Sequence, residues 1–186
     1  MLKYITENKI LFFLLKAFGL YLFWYILYDL WLHPKSTLDN IVSTNLAYWS
    51  SLILKLLGFV AIDSNIASTD NITVIGIDGT HGLWVGDPCN GITLFALFVG
   101  FVIAYPGKIK NKLWFIPLGM LAIHLINILR IVALCLIVYY SPETLAFNHT
   151  YTFTILVYSF VFGLWLLWSN KYSDVNKTND LETEHQ

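Results

Sequence analysis

The 28-residue run from Leu113 to Tyr140 carries a single charged residue, Arg130, and this is also the only arginine in the chain. About 20 apolar residues suffice to cross a bilayer, so the run is expected to be a transmembrane helix. An arginine at the centre of such a helix costs roughly 2.5 to 3.5 kcal/mol on insertion scales, which marks it as a functional site that needs an interaction partner. Composition agrees with the membrane: 57% of the 186 residues are hydrophobic and 12% are charged, with a mean hydropathy of +0.64. A soluble domain of this size is less apolar. The formal net charge is -1 and the lysines are scattered, so neither a nucleic-acid stripe nor an acidic tail is present. Cys89 and Cys135 show no CxxC or Cys/His spacing, so no disulfide framework, zinc site or other cofactor is expected.

Two further runs are long enough to span, Ile10 to Leu32 and Tyr151 to Trp168. A fourth, Ile92 to Tyr105, reaches spanning length if its helix starts near Cys89 and ends at the Pro106-Gly107 break. Leu46 to Ile62 carries Lys55 and several hydroxyls, and either spans or lies flat. Lys3 and Lys9, the cluster Lys108, Lys110 and Lys112, and Lys171 and Lys177 place their flanks in the cytoplasm, whereas Asp63 to Pro88 has no Lys or Arg and is expected outside. That order favours four crossings over five and makes Leu46 to Ile62 an interfacial or re-entrant helix. The first run has a basic start but no small-residue cleavage site after it, and is expected to be retained. Ile72 to Ile77, the Asp78-Gly79 turn signal and Leu83 to Val85 predict a small extracytoplasmic hairpin docked on the interfacial helix. The expected architecture is an all-α integral membrane protein with about four to five transmembrane helices. Residues 1–168 form one embedded domain, and 169–186 a polar, disordered cytoplasmic tail.

Cys89 lies in Gly86-Asp-Pro-Cys-Asn-Gly91, just before the fourth run. A helix start favours thiolate through its unpaired N–H groups and dipole, and those groups near Asn90 and Gly91 can also receive an oxyanion. A capped helix start in which the thiol only fills space reads equally well. Cys135, among Leu134, Leu136 and Ile137, reads as a packing residue. His149 opens the last run and would share a membrane face with Cys89. There it reads either as a proton shuttle for the thiol or as a solvated interfacial histidine. His81 at the hairpin tip is the rival base; His33 and His185 read as solvated. Asn127 and Arg130 share one helix face, with His124 further round the same stripe, and such a stripe either ties helices together or lines a site. Asp29 is the acidic residue within a membrane run that offers Arg130 a partner.

Cys89-Asn-Gly-Ile92 opening a membrane helix, Asn127-x-x-Arg130 inside the next and His149 opening the last together resemble the exosortase and archaeosortase family over roughly Gly82 to Trp168. In length the chain is similar to compact Bacteroidetes-type members; it has fewer helices than the larger members, many of which read Cys-Ser-Gly where Asn90 stands here. The resemblance implies a bacterial inner-membrane cysteine protease-transpeptidase with its site on the extracytoplasmic face. It would act through a thioester on exported proteins whose C-terminal sorting signal comprises a motif, a transmembrane helix and a basic tail. It implies Cys89 as nucleophile, His149 as general acid/base and Arg130 as the cation that holds a carbonyl or oxyanion, with Asn90, Gly91 and Asn127 in supporting or substrate-binding roles. A non-catalytic subunit or small transporter with a polar seam, and an acyl- or lipid-transferring thiol enzyme, are the alternatives. Arg130 lies about 15 Å below Tyr140 along the helix, so its role requires the long helix to project and lift the charge to the thiol.

Overall fold

The computed structural model describes residues 2–35, 37–62, 73–86 and 89–172. The expectations for the tail beyond Tyr172 with Lys177 and His185, for Asp63 to Ile72, and for Asp87 and Pro88 fall outside these residues. Helix α1, Leu2–Leu27, continues through a π-helical turn at Tyr28–Leu32 and a 3-10 turn at His33–Lys35. There follow α2 (Thr37–Leu56), strands β1 (Thr73–Ile75) and β2 (Leu83–Val85), α3 (Ile92–Ala104), α4 (Ile109–Tyr140) and a last helical run, α5 (Pro142–Tyr172). Leu11–Lys35, α4 and α5 are long and apolar enough to cross a membrane; α3 is a shorter apolar helix. Many large apolar side chains are exposed, as lipid contact requires: Phe12 and Phe23 on α1, Leu30 in the π-helical turn after it, Leu121 and Leu129 on α4, Ile155 and Phe162 on α5. The chain is an all-α multi-pass membrane protein with one small hairpin.

Helix α2 begins well before the Leu46 start expected from hydropathy, because its buried face carries polar side chains beside Leu46, Ala47 and Leu54. Asp39, Ser43 and Ser50 point inward and are buried, whereas Ile41, Tyr48 and Trp49 face outward. The helix stops at Gly58, whose φ of 90° is left-handed. Phe59 N donates to Leu54 O and Gly58 N to Lys55 O, the paired bonds by which a glycine ends a helix.

The hairpin forms where expected but is shorter, with Thr73 opposite Val85 and Ile75 opposite Leu83. An isolated hairpin is marginal in water, and this one is secured on two sides. The chain leaving α2 bridges to it at Ala61 and Ile77, and the buried side chains of Ile75, Ile77 and Val85 join Leu46 and Leu54 of α2 and Ile128, Ile131 and Cys135 of α4 in one core. Cys135 is a packing residue, as its apolar neighbours suggested. His124 donates or accepts at 2.9 Å with Asn45 and so ties α4 to α2.

The second core joins α3, α4 and α5 through Leu94, Phe98, Phe115, Ile123, Val157, Val161 and Trp168. Lys112 Nζ donates to Ile103 O and Tyr105 O, satisfying carbonyls left open at the end of α3. Helix α3 has 13 residues, about 20 Å, against a hydrocarbon layer of about 30 Å. Its expected start near Cys89 falls instead at Ile92. If its Tyr105 end lies at one interface, its Cys89 end stops well inside the layer.

Phe98 packs flat against Gly119, where a Cβ would sit 2.1 Å from the ring, while Gly100 on α3 has open space around it. Gly119→Leu should therefore destabilise the protein by about 1 to 3 kcal/mol. Gly100→Ala should be neutral or add about 0.5 to 1 kcal/mol. Thermal unfolding in detergent checks both, and equal midpoints for the two variants would contradict this packing.

Candidate active site

The turn that enters α3 carries Cys89, and three hydrogen bonds hold its backbone. Cys89 N donates to Gly86 O at 2.9 Å, Asn127 Nδ2 of α4 donates to Cys89 O at 3.0 Å, and Ile92 N donates to the Asn90 side-chain Oδ1 at 3.0 Å. Gly91 sits between with a φ of 88°, and a Cβ there would meet Asn127 Nδ2 at 3.0 Å. Both the left-handed backbone and the close approach of Asn127 call for glycine.

These bonds change the expected chemistry of the helix start. Of the backbone N–H groups around the turn, those of Cys89 and Ile92 are engaged, by Gly86 O and the Asn90 side chain. Burial instead pushes the Cys89 thiol above its ordinary value, with the nearby Arg130 charge acting in the opposite direction but more weakly. The thiol is therefore neutral at rest and needs a base beside it. Asn90 is completely buried, so it supports the turn and is out of reach of a substrate.

The base is His149. Its Nε2 lies 3.3 Å from Cys89 Sγ, although sixty residues separate the two in the chain. His149 stands in a π-helical turn, Asn148–Thr152, one residue wider than an α-turn, and Thr154 Oγ1 donates to its carbonyl. Such π-turns occur often at functional sites because the extra residue re-aims a side chain. His81 is not at the thiol: it is exposed on the hairpin loop, with Nδ1 against Gly82 O. His33 is exposed and packs on Tyr28, and His124 is held by Asn45 on the α2 side. The expected polar stripe of α4 thus divides, with His124 a helix tie and Asn127 and Arg130 at the site.

Arg130 reaches the site because the Asn127 bond sets α4 level with the Cys89 turn. Beyond Arg130 the helix runs on to Tyr140, about 15 Å more, packed on α2 and the hairpin. Arg130 is 9% exposed, and its Nε is buried without a hydrogen-bond partner among the described residues. Asp29, offered by the sequence as its counter-ion, is exposed at the end of α1. The guanidinium faces a cavity of about 300 Å³ lined by Gly91, Thr93, Arg130, His149, Thr154 and Tyr158. The imidazole and the guanidinium line this cavity and the thiol lies against the imidazole, and together they are the components needed to form and stabilise a covalent acyl adduct.

One participant escaped the sequence reading. Asp39, 1% exposed at the start of α2, accepts hydrogen bonds at Oδ1 from Tyr28 Oη at 2.7 Å and Asn90 Nδ2 at 2.9 Å. The signal available for it was Asp39, Ser43 and Ser50 on one helical face opposite Ile41 and Tyr48.

Because Arg130 lowers the Cys89 pKa while burial raises it, Arg130→Gln should move iodoacetamide alkylation of Cys89 to higher pH. The rate, read as thiolate by peptide mass spectrometry, checks the sign. A profile that stays in place would mean that the guanidinium does not act on the thiol. A family model described as transmembrane exosortase matches residues 4–173. No curated protein and no solved structure matches the chain.

Proposed function

The chain belongs to the transmembrane exosortase family, membrane-embedded sorting transpeptidases that act on exported proteins, and from that premise we propose that it cleaves a C-terminal sorting signal by cysteine chemistry. The observation that supports this reading is the 3.3 Å approach of Cys89 Sγ to His149 Nε2, with Arg130 lining the adjoining cavity and its Nε without a hydrogen-bond partner among the described residues.

In this mechanism His149 takes the thiol proton as Cys89 Sγ attacks the scissile carbonyl carbon. The negative charge that develops on the carbonyl oxygen is met by Arg130, whose fixed cation in a shielded cavity is worth far more than it would be in water. Collapse of the tetrahedral intermediate breaks the C–N bond, and the same proton passes from His149 to the departing amine. The N-terminal part of the substrate remains on Cys89 as a thioester. An acceptor nucleophile or water then attacks, giving its proton to His149 and restoring the thiol. Splitting amide cleavage into two steps allows transfer to an acceptor other than water.

The depth of the thiol suits such a substrate. A site some 20 Å along a short helix lies below the level at which a full span would end, so a peptide bond close to an apolar helix can reach it without leaving the membrane region. The exported domain would occupy the side on which α4 projects, the extracytoplasmic face in this reading. Residues 1–168 act as one catalytic unit, and Gly91 and Asn127 shape the floor on which the scissile peptide lies.

The test uses an epitope-tagged exported protein from the same cells that ends in a short motif, an apolar helix and a basic cluster. The parent enzyme should convert it to a shorter form, and Cys89→Ala and Cys89→Ser should lose this by about a thousandfold or more at unchanged abundance. Cys135→Ala should process normally. The adduct trapped on Cys89 should have the mass of a peptide rather than a fatty acyl chain. Full processing by Cys89→Ala would end the cysteine reading, and an acyl-chain mass would favour lipid transfer.

A further inference from the structure

We propose that Asp39 is a positioning residue for the thiol: through Asn90 it holds the Cys89 turn at the distance His149 requires. This rests on the cysteine reading above for its consequence, but on its own hydrogen bonds for its geometry. Asp39 does not line the cavity and does not touch Cys89 Sγ. It is a carboxylate with 1% exposure whose Oδ2 has no hydrogen-bond partner among the described residues, an expensive group to bury.

What Asp39 does is specify an orientation. Asp39 Oδ1 is the acceptor here and Asn90 presents its NH2 to it, which turns the Asn90 carbonyl oxygen toward Ile92 N. That oxygen closes the turn immediately after Cys89. Were the amide reversed, its oxygen would face the carboxylate and Ile92 N would lose its acceptor inside a buried turn, at a cost of about 1 to 3 kcal/mol. Tyr28 Oη on α1 donates to the same Oδ1, so one oxygen atom joins α1, α2 and the Cys89 turn. Asn127 holds the Cys89 carbonyl from the α4 side. The nucleophile is thus held between two amides, and Asp39 orients one of them. A displacement of about 1 Å at a reacting group costs on the order of a hundredfold in rate, so loosening this link should reach the chemistry.

The measurement is iodoacetamide alkylation of Cys89 across pH, located by peptide mass spectrometry in the full-length protein, alongside processing of the tagged substrate. In the parent, His149→Ala changes the alkylation profile because the thiol loses its proton acceptor. Asp39→Ala should give the His149→Ala profile, and adding His149→Ala to it should change nothing further. Its kcat for processing should fall by about a hundredfold with KM unchanged. Asp39→Asn, which keeps a carbonyl oxygen able to accept from both Tyr28 and Asn90, should restore the parent profile and most of the rate. Asn90→Ala cuts the same link from the other end and should behave as Asp39→Ala. It is the variant to read if Asp39→Ala does not elute as a folded species in detergent. A parent-like profile in folded Asp39→Ala or Asn90→Ala overturns the proposal. So does an Asp39→Asn loss as deep as that of Asp39→Ala, which would assign the effect to charge. If His149→Ala leaves the parent profile unmoved, the thiol–imidazole mechanism is what fails. The Asp39 assignment then stands or falls on whether Asp39→Ala alters the alkylation rate and Asp39→Asn restores it.

Discussion

The hydrogen bond from Asn127 Nδ2 to Cys89 O sets the level of α4 against α3, and the candidate site depends on that level. With Asn127 at the turn, Arg130 comes to the cavity one turn further along the same helix face. The remaining length of α4 then rises past the end of α3 and leaves a flank there to be covered. Helix α2 and the hairpin fill that space and bury Ile128, Ile131 and Cys135. The small hairpin layer and the candidate site therefore share one cause, a long helix held in register with a short one.

The short helix also explains how a polar site can exist in so apolar a chain. Within hydrocarbon, irregular backbone is tolerated only where protein or a cavity covers it. The Cys89 turn meets that condition: its N–H and C=O groups bond to Gly86 and Asn127, and its Asn90 amide is wholly buried between Asp39 and Ile92 N. Burial raises the thiol pKa, against the expectation from the helix dipole alone, and the neighbouring histidine and arginine then supply what an exposed helix start would have supplied through its own N–H groups.

Much of the architecture was legible from apolar runs alone. The three candidate spans, the short apolar helix before Pro106 and the Leu83 to Val85 strand lie close to where composition placed them. Helix α2 starts earlier than its apolar run because Asp39 and Ser43, which precede that run, belong to its buried face while Trp49 faces outward. For the site, Cys89, Arg130 and His149 were identified as candidates from position and residue type. Asp29 drew attention as a counter-ion because it lay in an apolar run, whereas the buried acid is Asp39 in a segment that reads as a polar loop.

The sequence by itself determined that this chain lives in a bilayer, because runs of this length and apolarity have no stable alternative there, and that Arg130 needs a reason to be where it is. Its spacing of Cys89, Arg130 and His149 along three helices carried the family resemblance. Only the tertiary structure decided which histidine meets the thiol, how far α4 projects, and that a carboxylate from α2 stands behind the nucleophile's turn. Those facts depend on helix register and on which face of α2 is buried. Residue type constrains both only weakly, whereas packing, in which Phe98 must lie on Gly119 and Asn127 must reach Gly91, allows little choice.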